Sequence, residues 1–471
     1  MADDRKLHIV MFPWLAFGHI IPFFELSQAI ARKGHKISFI STPRNIDRLP
    51  KLRPNVASSI TFVKIPLPLV EGLPENAEAT MDVGNEEVDF LKKAHDLMEP
   101  AVALFLTNSR ADAVVYDFSA HWLPQIATDL GILRVMFWIV QAWALAWLGK
   151  AEGFINGFEG RRRPEDFMFA PEWVTFHTKV AWKYHEAKEI LSLSEPNGSG
   201  FADGYRAGVA LLKSDAIIMR HCNEFDTEWF NLLPNLYPQE VIPIGFLPPH
   251  VQETKEDDSE TSWISIKEWL DKQTKGSVLY IAFGTEVTPN QDQLDELAHG
   301  LELSQVPFLW VFRRPALSRR DKIHLPEGFE ERVKGRGLVW IDWAPQVKIL
   351  KHDSVGAFLT HCGTTSTFEA LMYGLPLVML PLLGDLWMNA RILEEKQIGM
   401  EIQRNDEDGS FTRDSVAQCI RMVMVEDVGQ KFRDKAKEAS AVLGEREIHD
   451  GYLDKFTEYL LTRKCCSLSK N

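Results

Sequence analysis

The sequence predicts an α/β protein made of two doubly wound parallel-sheet domains. Short apolar runs alternate with amphipathic segments of helical length along most of the chain, the pattern of strands joined by crossover helices. The runs are nearly continuous rather than alternating, as suits strands covered on both faces. One polar, acidic stretch without periodicity, PPHVQETKEDDSETS, interrupts the series and reads as a linker.

His8–Trp14 is the first apolar run. The turn Leu15-Ala16-Phe17-Gly18 leads to His19, the spacing over Ile20–Lys33 is helical, and Gly34 closes that helix before the strand Lys36–Ser41. Ile60–Pro66 is a further strand and Val88–Asn108 a helix. Ala111–Tyr116 is a strand ending at Asp117, Trp122–Leu130 a helix, and Arg134–Ile139 a strand. Between about 150 and 215 the pattern loosens, GRRRPED and SEPNGSGFADG reading as loops between helices; excursions of this kind often line pockets. Asp215–Arg220 and Val241–Gly245 close the first series. The second runs through the strand Gly276–Gly284, the helix Gln291–Leu303 and the strands Pro307–Arg313 and Gly337–Trp343. It continues through Gly356–Thr360, the helix Thr364–Gly374, the strand Leu375–Pro381, and helices near 412–425, 428–443 and 449–462.

The chain has 471 residues, 45% hydrophobic and 25% charged, ample for sizeable cores. A net charge of −14 argues against binding nucleic acid or an anionic membrane, which needs a basic face. Five cysteines form no paired framework, the N-terminus carries acid before its first strand, and the apolar run between Arg134 and Lys150 is too short to span a bilayer. Cys465-Cys466 lacks a terminal prenylation pattern. A cytoplasmic protein, without a transmembrane segment and monomeric, is expected.

The chemistry concentrates at strand ends. At Thr360 a strand gives way to His361-Cys362-Gly363 and a helix opening with Thr364, Thr365 and Ser366. Helix N-termini present unpaired N–H groups and a positive dipole end, so this is a phosphate cradle in form. Taken alone, it is also the form of an ordinary capped helix. The spacing around it adds an aromatic face at Trp343, an amide at Gln346, a carboxylate at Glu369 and another at Asp385, all at the edge where open α/β sheets bind ligands. His19 and Asp117 end strands of the first series; each in isolation reads as a cap, though a base oriented by a carboxylate is an arrangement the pair could form. No G-x-G-x-x-G follows the first strand and no G-x-x-x-x-G-K-[ST] occurs. Asp406-Glu407-Asp408, followed by Gly409, reads as a solvated turn rather than a metal site, so no metal is expected.

Trp343-Ala344-Pro345-Gln346, His361-Cys362-Gly363 with Ser366, Glu369, Asp385 and Asn389-Ala390-Arg391 together resemble the nucleotide-sugar box of plant family 1 UDP-sugar-dependent glycosyltransferases. The resemblance extends over nearly the whole chain. It implies a GT-B fold, two Rossmann-like domains facing a cleft: 1–246 for the acceptor, 247–262 as linker, 263–448 for the UDP-sugar, and 449–471 packing back on the first domain. It implies inverting transfer with His19 as base and Asp117 holding it. The donor contacts it implies are Thr285, Trp343, Ala344, Gln346, His361, Gly363, Thr364, Thr365, Ser366, Glu369, Asp385 and Leu386, with UDP-glucose the default co-substrate. FPWLAFGHIIPFFELS, STPRNIDRLP and EGLPENAEATMD look most like the branch that adds a sugar to the sugar of a flavonoid, terpenoid or steroid glycoside. The alternatives are direct transfer to an aglycone hydroxyl, or a non-catalytic glycoside-binding protein of the same fold. A dinucleotide-dependent oxidoreductase is disfavoured by the missing glycine fingerprint.

Three features depart from the family pattern. Thr364-Thr365 stands where Trp-Asn is usual, and Leu386 where a glutamine commonly contacts sugar hydroxyls; Trp138 and Trp387 are unexpectedly large. Leu386 offers no hydrogen bond, so the donor sugar is the part of the reading these residues leave open, with rhamnose the leading competitor of glucose.

Overall fold

The computed structural model describes residues 6–158, 160–247, 261–284, 287, 289–312, 324–341 and 343–468. The first sheet comprises β1 (His8–Phe12), β2 (Lys36–Ser41), β3 (Ile60–Lys64), β4 (Ala113–Tyr116), β5 (Leu133–Trp138), β6 (Ala216–Met219) and β7 (Glu240–Pro243), in the order β3-β2-β1-β4-β5-β6-β7. The second comprises β8 (Val278–Ala282), β9 (Phe308–Val311), β10 (Gly337–Trp340), β11 (Val355–Thr360), β12 (Leu377–Met379) and β13 (Gly399–Glu401), in the order β10-β9-β8-β11-β12-β13. All pairings are parallel. Burial on both faces is why β4, β6 and β8 are apolar throughout.

In each sheet the strand order reverses once, between β1 and β4 and between β8 and β11. At such a switch point the chain leaves neighbouring strands in opposite directions and opens a crevice at their carboxyl ends. Register makes those ends level: Phe12 pairs with Tyr116, and Thr360 with Ala282.

Several elements differ from the sequence reading. The expected helix 88–108 is two, Val88–Asp96 and Glu99–Ser109, because Pro100 cannot donate to the preceding turn and seats instead in the first turn of the second helix. β13 escapes prediction: it is three residues long, begins with glycine and carries a glutamate. Gly399 is required there, since a Cβ would lie 2.3 Å from the Leu377 carbonyl oxygen. A helix, Thr261–Leu270, begins where the acidic linker was expected to end; residues 248–260 lie outside the described part.

The last helix, Arg446–Leu468, is longer than predicted and returns to the first sheet, burying Leu453, Phe456 and Leu460 with Ile9, Met11 and Ile218. Lys464 pairs with Asp112 at 2.7 Å. Between the two sheets, Phe246 stacks on Phe368 with ring centroids 3.9 Å apart, and Arg391 bonds the buried Glu186 at 2.6 Å. Among the described residues no helix is long and apolar enough to cross a membrane.

Candidate active site

His19 stands in the first turn of the helix Phe17–Arg32, directly after β1, and Asp117 directly after β4, so the switch point of the first sheet brings them together. His19 Nδ1 lies 2.8 Å from Asp117 Oδ2. The same oxygen accepts the Trp14 N–H at 3.0 Å, and Oδ1 accepts the Phe118 N–H at 2.8 Å. Asp117 is 1% exposed and fixed by these backbone donors, whereas the His19 side chain is 21% exposed. A carboxylate accepts only, so Nδ1 carries the proton of the neutral ring and Nε2 is its basic nitrogen.

The second switch point holds the cradle. After β11 the chain turns through Cys362, whose φ of 68° is left-handed, into the helix Thr364–Met372 with Gly363 as N-cap. No side chain caps this helix, which leaves its first N–H groups open to an anion. The His361 imidazole sits between two glycines. A Cβ at Gly363 would lie 2.5 Å from its Nε2, and one at Gly284 2.9 Å from its Cε1, so neither position admits a side chain while the ring keeps its place. Burial pushes His361 down to about 4, against a backbone hydrogen bond at Ala282, so it is neutral at neutral pH.

Around the cradle, Gln346 Nε2 donates to Ser366 Oγ at 3.1 Å and to Glu369 Oε2 at 2.6 Å. Burial pushes Glu369 up to about 7; the Gln346 bond and the Arg220 charge oppose this, and Glu25 adds to it. Trp343 is 56% exposed, an unusual state for a tryptophan and a ready stacking face, with Ala344 buried beside it. Thr365 Oγ1 accepts from Arg220, a first-domain residue just beyond β6, at 2.8 Å.

Asp385 follows the left-handed Gly384 and heads the helix Leu386–Glu395. Burial raises its pKa, opposed by a backbone hydrogen bond and by a hydrogen bond from Asn389 Nδ2 at 3.2 Å. The Gly384 N–H donates to Glu189 Oε1 of the first domain at 3.1 Å. Leu386 is buried, and Trp387 packs edge-on to Trp182 and His185. Asp406-Glu407-Asp408 lies in a turn closed by Gly409 N–H to Asn405 oxygen, with Asp406 paired to Lys183 at 3.0 Å. No group of three or more metal-ligating side chains occurs among the described residues. Thr285 lies outside them.

The family model described as UDP-glucoronosyl and UDP-glucosyl transferase matches residues 211–450. The chain is 46% identical to UDP-glycosyltransferase 91D2 of Stevia rebaudiana over 98% of its own length and 96% of that protein's. The chain belongs to the UDP-glycosyltransferase family. It is also 38% identical to the soyasaponin III rhamnosyltransferase of Glycine max, over 98% of this chain and 97% of that one. Its fold matches the crystal structure of Glycyrrhiza uralensis UGT73P12 complexed with glycyrrhetinic acid 3-O-monoglucuronide, with TM-score 0.79 and 22% identity over 99% and 98% of the two chains. The architecture is therefore GT-B, and the protein is an enzyme that transfers sugar from a UDP-sugar to a small-molecule acceptor.

Sequence reasoning missed several residues of this UDP-glycosyltransferase that crowd the site. Arg220 had a legible signal, a charge at the end of the buried run AIIM. Glu189 sits in a helix, Tyr184–Ser192, within the stretch whose periodicity is too loose to read. Trp143 bonds Asn389, a residue of the quoted family box, across the two domains, a pairing no local pattern reveals.

Proposed function

We propose that this UDP-glycosyltransferase inverts configuration at the anomeric carbon while extending the sugar of a small-molecule glycoside. His19 Nε2 removes the proton of the acceptor hydroxyl, the oxygen attacks the anomeric carbon, and UDP leaves from the opposite face. Asp117 holds the ring and stabilises the imidazolium; general-base catalysis of this kind is worth roughly 10²–10⁴ in rate. The open N–H groups of the helix Thr364–Met372 and the hydroxyls of Thr364, Thr365 and Ser366 receive the diphosphate, with His361 and Thr285 beside it. Trp343 and Ala344 take the uracil, Gln346 and Glu369 the ribose, and Asp385 and Leu386 flank the sugar. Residues 1–246 bind the acceptor and 263–448 the donor, and the enzyme works as a cytoplasmic monomer without metal.

The observation that carries this reading is the facing of two switch points. The base pair follows β1 and β4, the cradle follows β11, and Arg220, just beyond β6, donates to Thr365 in the cradle's first turn at 2.8 Å. UDP-glucose is the proposed donor, with UDP-rhamnose as the second reading on account of Leu386 and of a rhamnosyltransferase among the relatives. That relative acts on a saponin, by definition a glycoside, which favours a glycoside acceptor here. The test is a panel of UDP-sugars offered with one glycosylated flavonoid, one glycosylated terpenoid and their aglycones, read by product mass. Transfer to aglycones alone would refute sugar extension.

A further inference from the structure

Arg220 is buried where the two domains meet, 5% exposed. Its Nε and Nη2 both donate to the Phe246 carbonyl oxygen, at 3.2 and 2.9 Å, and Nη1 donates to Thr365 Oγ1 at 2.8 Å. The Phe246 carbonyl thus locks the plane of the guanidinium, and the remaining arm points at the first turn of the uncapped helix. Glu25, on the helix that carries His19, and Glu369 line the same small cavity of about 50 Å³ as Arg220 and Thr365. Burial pulls Arg220 down to about 10, with both glutamates opposing, so it stays charged at neutral pH.

A threonine hydroxyl is a rotor, and what it donates to depends on what occupies its lone pairs. Arginine has no acceptor, so Thr365 Oγ1 must take the Nη1 hydrogen and turn its own hydrogen elsewhere. Donation from a charged group also polarises the hydroxyl and strengthens it as a donor. An asparagine at 365 would carry its own fixed N–H₂ donors; a threonine needs a neighbour to set its direction.

We propose that Arg220 is a positioning residue of the donor site: it holds Thr365 by the oxygen, so that the hydroxyl hydrogen is directed to the diphosphate of the UDP-sugar. The proposal rests on the donor-site reading above. It makes the first domain a participant in donor binding through a contact that needs both Arg220 and Thr365.

The test is calorimetric binding of UDP, at pH about 8.5 so that Glu369 is ionised, to the wild type and to Arg220→Lys, Thr365→Val and Thr365→Ser, with the kinetics of each. Lysine keeps the charge but lacks the fork that holds Phe246 and Thr365 together. Arg220→Lys and Thr365→Val are each expected to weaken UDP binding about tenfold, the range of one charge-assisted hydrogen bond. Thr365→Ser should stay within about twofold of the wild type. The donor KM should rise in parallel with the UDP Kd, while kcat at saturation changes less than about threefold. Adding Arg220→Lys to Thr365→Val should cost nothing further, because the same contact is already gone. Wild-type UDP affinity in Arg220→Lys, or full additivity in the double variant, would overturn the inference while leaving the donor site standing. A wild type that binds no UDP would overturn both.

Discussion

Trp143 Nε1 of the first domain donates to Asn389 Oδ1 of the second at 2.7 Å, and both side chains are buried. Asn389 Nδ2 in turn donates to the Cys362 carbonyl at 3.1 Å and to Asp385 Oδ2 at 3.2 Å. One amide therefore joins the turn before the cradle, the carboxylate beside it and an indole of the opposite domain. Trp143→Phe leaves Asn389 Oδ1 buried without that donor, at a cost of about 1–3 kcal/mol. We expect a lower Tm and a reduced kcat/KM for the acceptor reaction. Wild-type values of both would show that the bond contributes nothing.

His19→Ala should abolish transfer while UDP binds with nearly wild-type affinity, since the proposed role of the imidazole, held by Asp117, is on the acceptor hydroxyl. Asp117→Asn should be impaired less severely. It keeps the Trp14 and Phe118 contacts in part but presents an uncharged partner to the imidazolium. Product formation and UDP calorimetry on the same preparations check this, and full activity in His19→Ala would remove the base assignment.

Glu369 sets a pH dependence. Its carboxyl is pushed up to about 7, chiefly by burial, and the ionised form is the stronger hydrogen-bond acceptor. The charged form prevails above about pH 7 and is lost as pH falls through that value, so UDP binding should weaken on acidification. UDP has a phosphate pKa near 6 of its own, which contributes equally to a Glu369→Gln variant. The difference in slope of log Kd between the two proteins, between about pH 6 and 8, isolates Glu369. Parallel slopes would mean that Glu369 does not titrate against the ligand.

The two halves were legible because each strand is a compact apolar run and the strand-end residues have distinctive types. His19, Asp117 and Asp385 stand out in that way, and the structure brings His19 to Asp117; Glu369 lies inside the helix Thr364–Met372, and its role is one the family resemblance implies. What escaped depends on packing between distant segments. Glu189 reaches Gly384, and Arg391 reaches Glu186, only once the chain has folded. Pro100 shows the converse: a local signal was present, yet the apolar spacing on either side masked the break. In the sequence Thr365 is visible only as a departure from the asparagine usual in the family. Its hydroxyl instead answers to Arg220, a partner 145 residues away that no window of sequence includes.

Transfer should survive exhaustive chelation. The helix Thr364–Met372 offers its uncapped N–H groups, three hydroxyl residues stand in its first turn, and helix N-termini stabilise phosphate charge without a cation. Initial rates before and after dialysis against a strong chelator decide it. A loss restored by manganese would show that a cation shares the diphosphate.

Leu386 governs the last prediction, on donor choice. It follows Asp385 directly, opens the helix Leu386–Glu395 and is buried. Asp385 can still accept from sugar hydroxyls, but the neighbouring amide of the family pattern is absent. A site lacking a hydrogen-bonding partner separates poorly between sugars that differ by one hydroxyl, because it penalises neither. Its apolar side chain would also tolerate the methyl group of a 6-deoxy sugar. Donor selection should therefore be relaxed, with UDP-glucose preferred and UDP-rhamnose its chief competitor. Leu386→Gln should shift the ratio of their kcat/KM values toward glucose by about tenfold, ~1.4 kcal/mol of differential transition-state binding. Competition between the two donors in one vessel measures that ratio directly. An unchanged ratio in a folded Leu386→Gln protein would mean that residue 386 packs into the core without touching the sugar.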